Sequence, residues 1–171
     1  MGGPGTGKTT LINALKNQGY IIFEEVSRKI IKNAQLEGVK QLFLADPFLF
    51  SKKLLEGRIA HYKAAEGLKE NHVLYDRGIP DIIAYLNYAN EKAPPEFAQA
   101  CEDYRYDRVL MLPPWEAIHT VDEERYEDFE KATQLHNHLV KTYKGYNYNL
   151  IAVPKATVEE RVNFVKKILN Q

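Results

Sequence analysis

Apolar positions along the chain alternate between helical spacing and short unbroken runs. In "TTLINALKNQ", Leu11, Ile12 and Leu15 fall on one side of a helix that Gly19 stops. "YIIFEEV" is a β-prone run ending in carboxylates, and "SRKIIKNAQLEG" predicts a helix closed by Gly38. In "ADPFLF", Asp46 is placed as a cap with Pro47 at the first helical position. Phe50, Leu54, Ile59, Tyr62 and Leu68 then keep a helical spacing towards Asn71. "HVLYDRG" is a short buried strand broken at Gly78, and "PDIIAYLNYAN" and "PPEFAQACEDY" predict two more helices. "DRVLMLPP" is a third strand, stopped by Pro113 and Pro114.

A charged segment from Asp122 to Lys144 carries Phe129, Leu135, Leu139, Val140 and Tyr143 near one stripe. "YNLIAVP" is a fourth strand. "TVEERVNFVKKIL" opens with a capping box, Thr157 with Glu160, and is expected to bury Val158, Val162, Val165 and Leu169. Strands separated by helices predict an α/β domain with a mainly parallel sheet. With no repeat, low-complexity tract or flexible linker, residues 1–171 are expected to form one domain.

Composition narrows the class. Lys plus Arg equals Asp plus Glu at 23 each, so no global basic field would attract nucleic acid or anionic lipid. Cys101 is the single cysteine, which excludes an intrachain disulfide and a multi-thiolate zinc site. No apolar run approaches the roughly 18 residues that span a bilayer. A reducing, cytoplasmic setting and a soluble chain are expected.

The strongest chemical signal is at the start. Gly2 to Thr9 fit G-x-x-x-x-G-K-[ST], a loop whose glycines let backbone N–H groups turn onto phosphate oxygens. The helix that follows directs its positive end at the same anion. Gly3, Gly5, Thr6, Gly7, Lys8, Thr9 and Thr10 are the candidate nucleotide-binding residues. Lys8 would reach the β- and γ-phosphates, and the Thr9 hydroxyl would ligate Mg²⁺. No guanine-reading Asn/Thr-Lys-x-Asp element is present, so ATP is the expected nucleotide. The "VPKATVEER" turn either walls the base or simply connects a strand to a helix. His136 and His138, two residues apart, lie on different faces and make a poor metal pair.

Asp76, at the carboxyl end of a buried strand, could hold Mg²⁺ or take a proton from an attacking hydroxyl. Arg77 beside it could fork onto an acceptor oxygen or a phosphate. Glu24 and Glu25 end the preceding strand, and one of them could bind a sugar hydroxyl. A lid around residues 115–135 carries Arg125 as the candidate for neutralising transferred charge. Arg58 and Arg161, on predicted helices, read as surface or packing residues, with Arg58 able to face the cleft.

"GGPGTGKTTLINAL", "FEEVSR", "LYDRGIPDIIAY", "DRVLMLPPWE" and "DEERYEDFEKA" together resemble the NadR-like branch of P-loop ATPases and kinases. That branch is similar to the ribosylnicotinamide kinase domain of NadR and to the translocation-defect nucleotide-binding proteins. The resemblance runs from Gly2 to about Ile168. It implies a five-stranded parallel core of nucleotide-kinase type, with ATP-Mg²⁺ at Gly5 to Thr10. It also implies Asp76 and Arg77 near the acceptor, Arg125 in the lid, and Glu25, Arg28 and Asp81 as further acceptor-binding candidates.

The expected function is therefore an ATP-dependent kinase acting on a nucleoside-like hydroxyl compound. The alternatives are a regulatory ATPase without an acceptor and a membrane-peripheral adaptor binding nucleotide and phosphoinositide. One feature conflicts with the loop's usual setting between a strand and a helix. Only Met1 stands where the first, central strand belongs, so a strand of about six to ten residues is expected upstream, and without it a gap in the sheet.

Overall fold

The structure is a computed structural model, and it describes residues 1–118 and 129–171. Eight helices and four strands alternate among the described residues: α1 (Lys8–Lys16), β1 (Ile21–Phe23), α2 (Val26–Leu36), α3 (Leu42–Ala45), α4 (Pro47–Glu66), β2 (Val73–Tyr75), α5 (Pro80–Tyr88), α6 (Pro95–Asp103), β3 (Val109–Met111), α7 (Phe129–Gly145), β4 (Leu150–Ala152) and α8 (Val158–Leu169). A 3₁₀ turn, Glu116–Ile118, follows β3.

Local chemistry sets most helix ends. The Asp46 carboxylate accepts from Leu49 N at 2.8 Å, with Pro47 as the first helical residue of α4. The Thr157–Glu160 capping box opens α8. Helix α4 stops at Gly67, short of Asn71, which leaves Leu68 outside the helix and 38% exposed. Val158, expected inside, is 39% exposed. It sits in the first turn of α8, whose buried stripe runs through Arg161, Val162 and Val165 instead. The short helix α3 was not foreshadowed by any periodic pattern, being only four residues long.

All strand pairing is parallel. Ile21 to Phe23 lie opposite Val73 to Tyr75, and Val109 to Met111 lie opposite Leu150 to Ala152. The predicted interruption falls between these pairs, since β2 and β3 are not hydrogen-bonded to each other. Among the described residues, Met1 reaches into the space. Its nitrogen donates to Leu110 O at 2.6 Å and its carbonyl accepts from Leu112 N at 2.7 Å. That is one rung of a parallel ladder, with Met1 opposite Met111. A cavity of about 570 Å³ occupies the rest of the slot between β2 and β3.

Helices cover both faces. On one, Leu11 and Leu15 of α1 pack with Val162 and Val165 of α8. On the other, Ala84 of α5 meets Leu135 and Leu139 of α7. Leu54 and Leu55 of α4, Ile82 of α5 and Phe97 of α6 form a further cluster beside β2. No helix among the described residues is long and apolar enough to cross a membrane.

Candidate active site

The glycine-rich loop ends in a left-handed turn. Gly7 takes φ 72° as the residue before α1, and Leu11 N donates to its carbonyl at 3.2 Å. A Cβ at Gly7 would lie 2.6 Å from Arg161 Nη1 and 3.0 Å from Ile118 Cδ1, so both backbone angle and space require glycine there. Thr6 is buried and its hydroxyl donates to Gly3 O at 3.0 Å, which closes the loop on itself. Thr9 and Thr10 are exposed at the start of α1, and no acidic residue in its first turn offsets the positive end of the helix.

Arg161 belongs to this loop although its spacing suggested packing or surface. It is 3% exposed, donates from Nη2 to Thr6 O at 3.0 Å, and lies 6.0 Å from the Trp115 ring. Burial lowers its pKa from the usual guanidinium range. The α8 end of the "VPKATVEER" turn thus rests on the phosphate loop itself.

A second group gathers at the carboxyl ends of β1 and β2. Phe23 and Tyr75 are register partners with rings stacked at 5.5 Å, on the side of the sheet facing His61 and Tyr62 of α4. The chain then turns Glu24 outward, where it pairs with Lys16, and Glu25 inward. One Glu25 oxygen takes Arg58 Nη2 at 3.2 Å, and the other takes Arg77 Nε. Burial alone would raise the Glu25 pKa, but Arg77, Arg58 and Lys8 outweigh it and hold the carboxyl below its ordinary value.

Arg77 also donates to Tyr85 Oη at 2.8 Å, with Asp81 at 3.7 Å. Burial opposes its charge, yet Tyr85, Glu25, Asp81 and Asp76 together keep its pKa above the usual guanidinium range. Asp81 is fully buried and accepts from Gly78 N at 2.9 Å and from Tyr143 Oη at 2.7 Å. Arg58, 5% exposed, completes the group by donating to Gly78 O at 2.6 Å. It shares the buried stripe of α4 with Ser51, Leu54 and Leu55, the inward alternative that its position in the sequence had left open.

Asp76 directly follows β2. Its backbone N–H continues the β1–β2 ladder by donating to Phe23 O at 2.8 Å. Its buried Oδ1, like that of Asp81, has no hydrogen-bond partner among the described residues. Lys8, Asp76 and Arg77 line one cavity, and desolvation there lowers the Lys8 pKa from 10.5 to about 8. A buried carboxylate oxygen without a hydrogen-bond partner is donor chemistry that suits a hard divalent cation such as Mg²⁺. Arg28 stands apart, exposed on the first turn of α2. Arg125 lies outside the described residues.

A glycine-rich loop opening a helix, parallel strands with helices on both faces, and charged groups at the strand ends define a P-loop fold of nucleotide-kinase type. The sequence matches the family described as AAA domain over residues 1–161, and the chain belongs to that family. Among curated proteins, no sequence matches significantly. The fold is similar to deoxyadenosine kinase from M. mycoides with the products dCMP and dCDP bound. That likeness has a TM-score of 0.70 at 20% identity, covering 99% of this chain and 96% of the other. The same enzyme with bound dATP gives a TM-score of 0.64 at 19% identity, covering 100% and 97%. With bound dCTP the values are 0.58, 19%, 99% and 96%.

Proposed function

We propose that this protein is an ATP- and Mg²⁺-dependent kinase that phosphorylates a hydroxyl of a nucleoside-like small molecule. The observation that carries the reading is the division of labour among three carboxylates. Glu25 is saturated by two guanidinium groups and Asp81 is sealed beneath Arg77. Asp76 and Asp81 each keep a buried Oδ1 without a hydrogen-bond partner among the described residues, but of the two only Asp76 lines the cavity with Lys8. A bare nucleotide switch has no need of an arginine buttressed by Glu25, Asp81 and Tyr85 at the strand ends.

In this reading the loop N–H groups and Lys8 hold the triphosphate. Thr9 and Asp76 are the residues that would hold Mg²⁺, which when bound neutralises charge on the β- and γ-phosphates. The acceptor hydroxyl oxygen bonds to the γ-phosphorus as the bond from phosphorus to the β,γ-bridging oxygen breaks, and ADP leaves. Asp76 takes the hydroxyl proton. Arg77 binds the acceptor, Glu25 and Asp81 fix its plane, and Arg28 and Arg125 are further candidates for acceptor and lid contacts.

The test is ADP release with ATP, Mg²⁺ and a panel holding deoxyadenosine, deoxycytidine, adenosine and nicotinamide riboside. Release that rises at least about tenfold with one acceptor supports the proposal. Equal release with every acceptor and with none makes the protein an ATPase. Asp76→Asn then separates the two uses of the carboxylate: a raised Mg²⁺ requirement marks a metal role, and a fallen kcat at saturating Mg²⁺ marks the proton acceptor.

A further inference from the structure

Helix α8 reaches the phosphate loop through one side chain. Val162 and Val165 dock α8 on Leu11 and Leu15 of α1, the helix that the loop opens. The Thr157–Glu160 box fixes the first turn of α8, and Arg161 N closes that turn on Thr157 O at 3.0 Å. Arg161 therefore starts from a turn that is held locally and packed on α1. Its guanidinium lies along the Thr6–Gly7 peptide. Nη2 donates to Thr6 O at 3.0 Å, and Nη1 lies 2.6 Å from the place a Cβ on Gly7 would take.

Peptide geometry turns that contact into a direction. In a trans peptide the C=O and the following N–H point opposite ways, and the described residues contain no cis bond. With the Thr6 carbonyl drawn to α8, the Gly7 N–H is turned away from α8, and it donates to no group among the described residues. Gly7 itself does not bias the choice, because without a Cβ it accepts either face of the peptide at little steric cost. The Thr6 hydroxyl is committed to Gly3 O. Among the described residues, Arg161 supplies the hydrogen bond that selects the orientation.

The charge points the same way. Arg58 and Arg77 share Glu25. Arg161 is equally buried, its Nε has no hydrogen-bond partner, and it forms no ion pair among the described residues. A buried cation without a counter-charge is costly, and an anion held against the loop would supply one.

We propose that Arg161 is a positioning residue of the phosphate site, latching the Thr6–Gly7 peptide so that the Gly7 N–H is presented to a phosphate oxygen. The inference rests on the phosphate-loop reading and adds to it an element 155 residues along the chain from Thr6. Because the latch acts on a loop amide, it selects for the phosphate chain and is indifferent to the base.

The experiment uses the full chain, Arg161→Ala, Arg161→Lys and, as a reference, Lys8→Ala. Mg²⁺ complexes of ATP and of inorganic tripolyphosphate are titrated by calorimetry, circular dichroism reads the fold, and the Gly7 amide is followed in ¹H–¹⁵N spectra. In the full chain the Gly7 amide proton is expected to move downfield with tripolyphosphate, as an N–H bonded to an anion does. An unmoved Gly7 amide at saturation overturns the proposal without any variant. Arg161→Ala is expected to bind both probes at least about tenfold more weakly, by the same factor for each, and to lose most of the Gly7 shift. Arg161→Lys keeps the charge without the two-pronged head and is expected to match Arg161→Ala; it stands in if Arg161→Ala does not fold. Undiminished binding by a folded Arg161 variant, or weaker binding with the Gly7 shift intact, overturns the latch. So does a loss confined to ATP, which would make Arg161 a base contact. If Lys8→Ala binds both probes as the full chain does, the phosphate-loop reading is wrong and the latch falls with it. If Lys8→Ala is weakened and Arg161→Ala is not, the loop reading stands and the latch alone fails.

Discussion

ATP binding at pH 8.5 should draw a proton onto Lys8. In the free protein, desolvation holds this lysine near pKa 8 instead of 10.5, a difference of about 3 kcal/mol between its charged and neutral forms. At pH 8.5 about a quarter of the molecules then carry the Lys8 proton, and once the triphosphate sits against the ammonium nearly all will, so about 0.7 proton is taken up per ATP. At pH 7 the free protein is already about 90% protonated there and uptake falls to about 0.1. Isothermal titration calorimetry in buffers of different ionisation enthalpy reads the number directly as a slope. Lys8→Arg, which stays charged throughout, should abolish the pH 8.5 uptake even where binding survives. Tight binding with no uptake at pH 8.5, or the same uptake in Lys8→Arg, would refute the reasoning. The same displacement bears on stability. Because the folded-state pKa lies below the unfolded one, the Lys8 penalty is full below about pH 8 and is relieved as pH rises towards 10.5.

Two further substitutions probe the supports. Asp81→Leu strands the Tyr143 hydroxyl and the Gly78 amide in a buried place, so urea denaturation should show a loss of about 3–5 kcal/mol. Adding Tyr143→Phe should recover part of that loss, and a strictly additive double variant would show that the two groups do not depend on each other. Arg161→Ala removes the donor to Thr6 O and the packing under Gly7, and a fluorescent nucleotide titration should show about tenfold weaker binding. Arg161→Lys should not restore it, and unchanged affinity in both variants would show that the loop holds its shape without α8.

What could be read from the sequence was the chemistry of chain direction: loop, caps and periodic stripes. Asp46–Pro47 and Thr157–Glu160 mark helix starts because their side chains bond to amides three residues on, a purely local geometry. The phosphate loop was legible because its glycines specify its backbone, with Gly5 and Gly7 both at positive φ. The inward-facing arginines were not. Arg58 and Arg161 lie on otherwise apolar stripes, and a charge there reads as packing or surface until tertiary structure supplies Glu25, Gly78 O and Thr6 O as partners. Spacing alone left Glu24 and Glu25 open for a related reason, and only the resemblance singled out Glu25. Strand β1 is partly buried along its whole length, so alternation carries no inward or outward label. The interrupted sheet was foreseeable because a phosphate loop needs a strand before it. That Met1 would still hold its rung opposite Met111 was not.

Arg77 adopts φ 80°, a backbone angle that glycine takes freely and that arginine holds only at about 1–3 kcal/mol. Selection for folding and selection for activity should therefore pull this position apart. A library screened only for soluble expression should reach glycine or asparagine at residue 77 only together with neutral replacements of Glu25 or Asp81, because discarding the guanidinium alone strands two buried carboxylates. A screen that demands turnover should keep arginine and gather its compensating mutations elsewhere in the chain.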